Sequence, residues 1–195
     1  MSEMSGKSLK VVLAVSRALT RASFSILTVG LTYLTSAVIG LTMVQTGDPF
    51  ALAYRDGIVT RAQASPILVA LARNDRWQAA LLDFAANLFG ACANTLGGLG
   101  VVAPYPLIAY RGWIGGIVSI NSSHVSRLAD PSEAAYYLST LVLQLIPYTL
   151  AGGAGVNMGV AFVRPNAYYQ GDKWWGIPTE AVRDVLRIVT VQVLF

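Results

Sequence analysis

The 195-residue chain has the composition of a membrane protein: 54% of its residues are hydrophobic, only 12% are charged, and its mean hydropathy is +0.55. Typical soluble domains carry roughly a quarter charged residues, and a chain this apolar is not intrinsically disordered. One cysteine and one histidine exclude a disulfide scaffold and cannot supply the nitrogen and sulfur ligands of a zinc site.

The first predicted span covers residues 22–46 and follows a basic N-terminal segment. No charged side chain occurs between Ala22 and Gly47, and about 20 apolar residues suffice to cross a bilayer. Basic residues beside a span are retained on the cytoplasmic side, so we expect an inner (cytoplasmic) membrane protein with its N-terminus inside. Most of the net charge of +4 comes from this flank, and no nucleic-acid partner is predicted. The basic residues ahead of the span are Lys7, Lys10, Arg17 and Arg21.

The segment 48–76 is predicted to be an outer loop, because its mixture of acidic and basic residues is too polar to cross a membrane. Within it, Ser65-Pro66 is typical of an N-cap followed by proline at the first helical position. We therefore expect a short helix over 67–72, which is too short to span and would lie at the membrane interface.

The second and third spans are predicted over 78–99 and 102–121. The glycine run at 97–100 and the two prolines after it break any single helix through this region. The alternative is one long tilted helix that ends near Arg111, followed by a re-entrant segment up to Asn121. Non-helical backbone at membrane depth is tolerated where protein or water covers it, so the residues leave both interpretations open.

The fourth span is predicted over 136–163, where the chain is again uncharged. Asp130-Pro131 is typical of the helix start that precedes it. Pro147 lies inside this span, where its missing amide donor predicts a kink.

The inner loop 164–181 contains basic and tryptophan residues that suit a membrane boundary. The last segment, 182–195, is predicted to be the amphipathic start of a fifth, incomplete span, with Arg183, Asp184 and Arg187 on its polar face. Together these elements predict an all-α, polytopic transmembrane helical bundle of about five spans in a single domain, 1–195.

Small residues recur every four positions on three of the predicted spans, which places them on one face of each helix. Such faces let helices approach closely. The simpler interpretation is packing within a compact bundle, and the alternative is a face reserved for another membrane protein. The predicted helix-packing residues are Ala151, Gly155 and Gly159 on span four, Ala86, Gly90 and Gly98 on span two, and Gly112 and Gly116 on span three.

Polar residues at membrane depth are the other candidates, because each costs a few kcal/mol unless it is paired or wetted. Arg111 falls near the middle of span three, where it would contact an anion, a proton or a lipid headgroup, or form a structural pair with a neighbour. Asn157 is interpreted as a helix-packing hydrogen-bond donor. The buried polar candidates are Arg111, Asp83, Asn87, Asn94, Gln144 and Asn157.

No pair of carboxylates, no nucleophile with a base and no metal constellation emerges from the sequence. We therefore predict no catalytic residue, no enzyme activity, no cofactor and no metal. A bound lipid, such as an anionic lipid near Arg111, is the ligand that the sequence leaves open.

The order of these features resembles the stage II sporulation protein M family of multi-pass membrane proteins. The resemblance covers residues 75–195. It rests on Phe84 and Asn87 at the start of span two, the glycine-rich interruption, Arg111-Gly112 with Gly115, the run Ala151-Gly152-Gly153-Ala154-Gly155 with Gly159, and the segment from Glu180 to Ile188. Members of that family are known mainly as components of larger assemblies, including a septal peptidoglycan-remodelling complex. The resemblance implies no enzymatic activity.

This sequence departs from the family at an ionisable pair. The family usually has Leu-Pro-His-Gly with a glutamate three residues on, whereas this chain has Leu-Ser-Thr-Leu over 138–141 and then Gln144. A proton-coupled or metal-dependent role for that pair cannot be carried to Thr140 and Gln144.

Two functions follow as expectations. The first is a non-catalytic scaffold or accessory subunit that packs through small-residue faces against other integral membrane proteins, in a hetero-complex or a homo-oligomer. The second is a small transporter or channel subunit with a polar path around Arg111, lined also by Asp83, Asn87 and Gln144.

Overall fold

The structure, a computed structural model, describes residues 2–164, 169 and 171–192, and the side chains from residue 9 onward. The described residues form seven α-helices and one two-stranded antiparallel hairpin. The predicted all-α fold is therefore confirmed.

Three helices are long and apolar enough to cross a membrane. They belong to α1 (Ser2–Gln45), α4 (Arg76–Gly97, which continues as a 3-10 turn to Gly100) and α6 (Pro131–Val163). α5 (Pro104–Ile117) and α7 (Thr179–Gln192) have 14 residues each. At 1.5 Å per residue they are about 21 Å long, shorter than the bilayer core of about 30 Å. The structure thus supports a membrane protein, but the predicted number of five spans is not confirmed.

The segment predicted as an outer loop contains two helices, of which only the second was predicted. α3 (Pro66–Ala72) begins as expected, with the Ser65 hydroxyl accepting from the Leu68 amide. The helix α2 (Pro49–Gln63) is capped by Asp48. It was missed because its charged and apolar residues follow no helical period.

The glycine run at the end of α4 and the prolines at the start of α5 mark a break in the helix as predicted, and the alternative of one helix up to Arg111 is wrong. α5 turns back and packs parallel to α1. The Tyr105 hydroxyl hydrogen-bonds to the Thr28 hydroxyl at 2.9 Å. Further along, Gly112 lies against the backbone of Tyr33. α5 therefore begins beside the middle of α1 rather than beside its start.

α6 is one helix of 33 residues that passes through Pro147. Asp130 caps it by accepting from the amides of Ser132 and Glu133, which confirms the predicted helix start. α6 runs antiparallel to α1, with Thr149 beside Gly30 and Gly153 beside Ile26.

The predicted inner loop contains a hairpin of β1 (Lys173–Trp174) and β2 (Ile177–Pro178), which leads into α7. α7 packs against α1 and α6 through a cluster that includes Val185 and Ile188. Asp184 was predicted on the polar face of this helix, and the structure buries its side chain completely, at 0% exposed. The end of the predicted fifth span, residues 193–195, lies outside the described residues.

Candidate functional site

A cavity of about 780 Å³ lies between α4, α5 and α6. Four of the six predicted polar candidates line it: Asp83 and Asn87 from α4, Arg111 from α5 and Gln144 from α6. Its position along α1 follows from its neighbours, because Gly112 packs on Tyr33. The cavity is therefore level with the middle of the uncharged stretch of α1 that begins at Ala22, at membrane depth.

Tyr148 organises the floor of this cavity, and the sequence did not single it out. The guanidinium carbon of Arg111 lies 5.4 Å from the centre of the Tyr148 ring, a distance typical of a cation–π contact. The Tyr148 hydroxyl donates to Asn87 Oδ1 at 3.2 Å. One aromatic side chain thus positions both the cation and the amide. Its place one turn after Gln144 was the available signal.

Asp83 and Arg111 bring opposite charges to the same cavity, yet the described part of the chain pairs neither of them in a salt bridge or hydrogen bond. Both side chains are exposed to the open space. At membrane depth an unpaired charge costs at least about 2.5 kcal/mol on insertion scales. The arrangement can therefore bind a group that offers complementary charge or hydrogen bonds.

Gln192, near the end of α7, also belongs to the cavity lining. The residue is 6% exposed, and its Oε1 atom has no hydrogen-bond partner among the described residues. A buried acceptor without a donor costs about 1–3 kcal/mol. The Gln192 Oε1 atom is itself enclosed, so it lies behind the cavity wall and does not face the open space.

The small-residue faces are used inside the bundle. A side-chain carbon at Gly98 would overlap the backbone of Gly155, and one at Gly159 would overlap the carbonyl of Gly98. Gly112 and Gly116 lie in the same way against the backbone of α1. Ala151, which precedes these contacts on α6, is also completely buried.

Ala86 and Gly90 do not belong to that packing, although they share its spacing. Ala86 is exposed and lines the cavity. A side-chain carbon at Gly90 would meet only the Arg111 guanidinium, at 3.9 Å. α4 touches α6 near Gly98 and separates from it toward its first half, so the same repeat faces open space there.

The two remaining polar candidates lie outside the cavity. Asn94 is buried at the contact of α4 with α6 and donates to the carbonyl of Gly90 in its own helix. Asn157 donates to the Tyr169 hydroxyl at 2.8 Å. Asn157 thus joins α6 to Tyr169 in the loop before the hairpin, and its predicted helix-packing role stays a prediction.

A second polar cluster, centred on Asp184, joins α7 to α1. The Asp184 carboxylate accepts from Arg21 Nε and Nη2, both at 2.6 Å, and from Arg187 Nη1 at 2.9 Å. The Tyr169 hydroxyl donates to the same carboxylate at 3.0 Å. No sequence pattern indicated this cluster, because Arg21 lies 163 residues from Asp184 along the chain. Its full set of partners makes it a structural clamp.

Tyr169 acts in that cluster as a neutral donor. Burial of the ring, together with the nearby Asp184 charge, raises the pKa of Tyr169 to about 12. The hydroxyl therefore keeps its proton at neutral pH and can donate to the carboxylate while it accepts from Asn157.

A third cluster lies at the opposite end of the bundle, where α2 meets the loop before α6. Arg55 is 3% exposed and donates to Asp56 Oδ1 and to the carbonyl of Ile120. His124 lies 3.0 Å from Asp56 Oδ2. The hydrogen bond from Arg55, followed by that from His124, holds the pKa of Asp56 below its ordinary value.

This low pKa predicts an acid transition. Because the folded pKa of Asp56 is below the unfolded value, its contribution to stability is complete above about pH 4. It is lost as the pH falls through the folded pKa. Trp113 stacks on Phe50 of α2 at 5.9 Å, so its fluorescence reports the docking of α2. We expect the Trp113 fluorescence to change when the pH is lowered, and we expect a smaller change in Asp56→Asn. A change of equal size in the variant would contradict the role of Asp56.

Within the described residues, no three His, Cys, Asp or Glu side chains group to hold a metal ion. Comparison of the chain with protein-family models, curated proteins and solved structures finds no match. The resemblance in the sequence therefore stays a prediction, and the functional argument depends on the cavity.

Proposed function

We propose that the protein is a non-catalytic accessory subunit of a larger membrane assembly, and that its cavity receives a polar transmembrane segment of a partner protein. The observation that carries this proposal is the pair Asp83 and Arg111, which face one open cavity at membrane depth without a salt bridge in the described chain. Lipid tails offer neither side chain a partner, whereas an amide side chain on a partner helix can donate to Asp83 and accept from Arg111.

The partner was first expected to bind to the small-residue faces, whereas the proposed binding surface is the cavity. The glycine faces are occupied by helices of the same chain, so they leave little room for another protein. The cavity supplies instead an unfilled surface with complementary chemistry. It also explains why α4 separates from α6 in its first half.

The resemblance to the stage II sporulation protein M family supports an assembly subunit. Thr140 and Gln144, at the positions where that family usually has histidine and glutamate, both line the cavity. In this chain they offer hydrogen bonds and no charge. We infer that the cavity corresponds to the family's polar site, with a partner recognised by different chemistry.

The basic residues before the first span support an inner-membrane location with the N-terminus inside. The relative helix directions bear on the number of passages. Asn87 lies beside Tyr148 and Gly98 beside Gly155, so α4 and α6 run in the same direction. The chain must then return between them, and α5 is the helix that does so. This arrangement supports α5, together with the turn before it, as a further passage.

The proposal is tested by replacing Arg111. Arg111→Ala should release the protein from its assembly in gently extracted membranes while leaving its abundance unchanged, because the Arg111 charge has no salt-bridge partner in the described chain to lose. Arg73→Ala, an exposed arginine at the end of α3, is the matched control. Arg111→Ala protein that still migrates in a full-size assembly would contradict the proposal.

The second candidate function is a small transporter or channel subunit, favoured by the cavity's volume. About 780 Å³ is within the range of roughly 300–1,000 Å³ typical of small-molecule sites. The close contact of Gly98 with Gly155 lies beneath the cavity. This candidate predicts that Arg111→Ala alters solute flux into vesicles while assembly is retained. Unaltered flux would exclude it.

A further inference from the structure

The hairpin between α6 and α7 has a tight two-residue turn. Lys173 pairs with Pro178 and Trp174 pairs with Ile177. The two turn residues, Trp175 and Gly176, have φ values of 52° and 82°. Two successive left-handed residues define a type I′ turn, in which asparagine or aspartate before glycine is the usual choice.

Tryptophan is a costly residue at this turn for two separate reasons. A bulky side chain is disfavoured in the left-handed region, and Trp175 is nevertheless held there. Its indole is also 87% exposed, and that of Trp174 is 61% exposed. The two rings lie 5.9 Å apart and pack on each other. An asparagine would form this turn without either cost, so the hairpin presents indoles for a purpose other than its own folding.

The hairpin tip is level with the end of the apolar part of α6. A side-chain carbon at Gly176 would lie 3.1 Å from the Phe162 ring, in the last turn of that helix. The uncharged stretch ends at Val163, and the exposed Arg164 follows it. Lys173, also exposed, flanks the two indoles. Indole rings beside basic side chains at the end of an apolar helix are typical of the headgroup region of a bilayer.

We propose that the tip of this hairpin, residues 173–176, is a lipid-surface anchor. The two indoles insert among the headgroups of the leaflet at this end of the bundle, and Lys173 and Arg164 contact anionic headgroups. Because the hairpin leads directly into α7, the anchor also holds the start of that helix at the membrane boundary. The proposal does not depend on the cavity or its occupant.

Depth-dependent quenching of tryptophan fluorescence tests the anchor. The full chain is placed in vesicles of phosphatidylcholine and phosphatidylglycerol with bromine at a shallow or a deep carbon of the acyl chain. The emission of the two indoles is the difference between the parent protein and the double variant Trp174→Phe/Trp175→Phe. This emission should be blue-shifted, and shallow bromine should quench it more than deep bromine. Trp77→Phe, which removes another exposed indole at the start of α4, shows how much of the signal belongs to a different site.

Two further variants make the result decisive. Trp175→Asn introduces a residue that favours the turn and removes one indole. This variant should therefore retain the fold and lose part of the quenching by shallow bromine. Lys173→Glu should weaken the blue shift caused by added phosphatidylglycerol. The anchor would be overturned if brominated lipid left the emission of Trp174 and Trp175 unchanged while aqueous acrylamide quenched it. It would also be overturned if only a bound protein, and not lipid, protected the two indoles from acrylamide.

Discussion

Asp184→Asn is expected to lower the free energy of unfolding by about 3 kcal/mol, because it removes one partner of a buried ion pair. The Asp184 side chain is 0% exposed and accepts two hydrogen bonds of 2.6 Å from Arg21. Asparagine has the same shape but no charge, so Arg21 and Arg187 keep only the partly exposed Glu180 as an acidic partner. The measurement is detergent-induced unfolding of the purified protein, followed by circular dichroism.

Glu180→Gln is the matched control for this prediction. Glu180 contacts the same two arginines, Arg21 at 3.4 Å and Arg187 at 2.6 Å, but its side chain is 36% exposed. Exposed ion pairs contribute about 0–1 kcal/mol. A much larger loss in Asp184→Asn than in Glu180→Gln is therefore expected. Equal losses would mean that burial of Asp184 does not determine the strength of the clamp.

Gly98→Ala is expected to destabilise the protein by about 3 kcal/mol and to separate α4 from α6. A methyl group there would overlap the backbone of Gly155, which cannot move aside as a side chain can. Overpacking a well-packed contact typically costs about 1–3 kcal/mol, and backbone overlap places this position at the upper end. Because α4 and α6 both line the cavity, separating them should also change its shape, so reduced assembly should accompany the reduced stability.

Gly100→Ala provides the control, in the same 3-10 turn. A side-chain carbon at Gly100 meets nothing within 4 Å, and a glycine-to-alanine change without strain stabilises by about 0.4–1 kcal/mol. In detergent-induced unfolding and in membrane abundance, Gly98→Ala should therefore be less stable than the parent protein and Gly100→Ala slightly more stable. Similar behaviour of both variants would contradict the proposed contact of α4 with α6.

Elements with a local chemical signal were predictable from the sequence. The Ser65-Pro66 start of α3 and the Asp130 cap of α6 depend on side chains within three residues of the amides they bind. The break before α5 depends on glycine and proline alone. α2 has no such periodic signal, because its charged residues are spread around the helix and its few buried contacts depend on tertiary packing.

The candidate site was predictable in part, for a physical reason. A polar residue at membrane depth is costly, which was sufficient to select Asp83, Asn87, Arg111 and Gln144 before their positions were known. The same rule could not select Tyr148, because tyrosine is a common residue in the core of a helical bundle. Nor could it predict Asp184, because a single charged residue in an amphipathic helix is normally solvated, and only the distant Arg21 makes its burial favourable.

Photo-crosslinking in native membranes tests most directly whether the cavity receives a partner helix. A benzophenone amino acid at Phe84, which lines the cavity, is compared with the same probe at Phe24, which is exposed on α1 outside the cavity. We expect the Phe84 probe to capture one membrane protein through a transmembrane segment with a polar side chain, and Arg111→Ala to abolish that product. Lipid adducts alone from both probes, whether or not Arg111 is present, would contradict the proposed function.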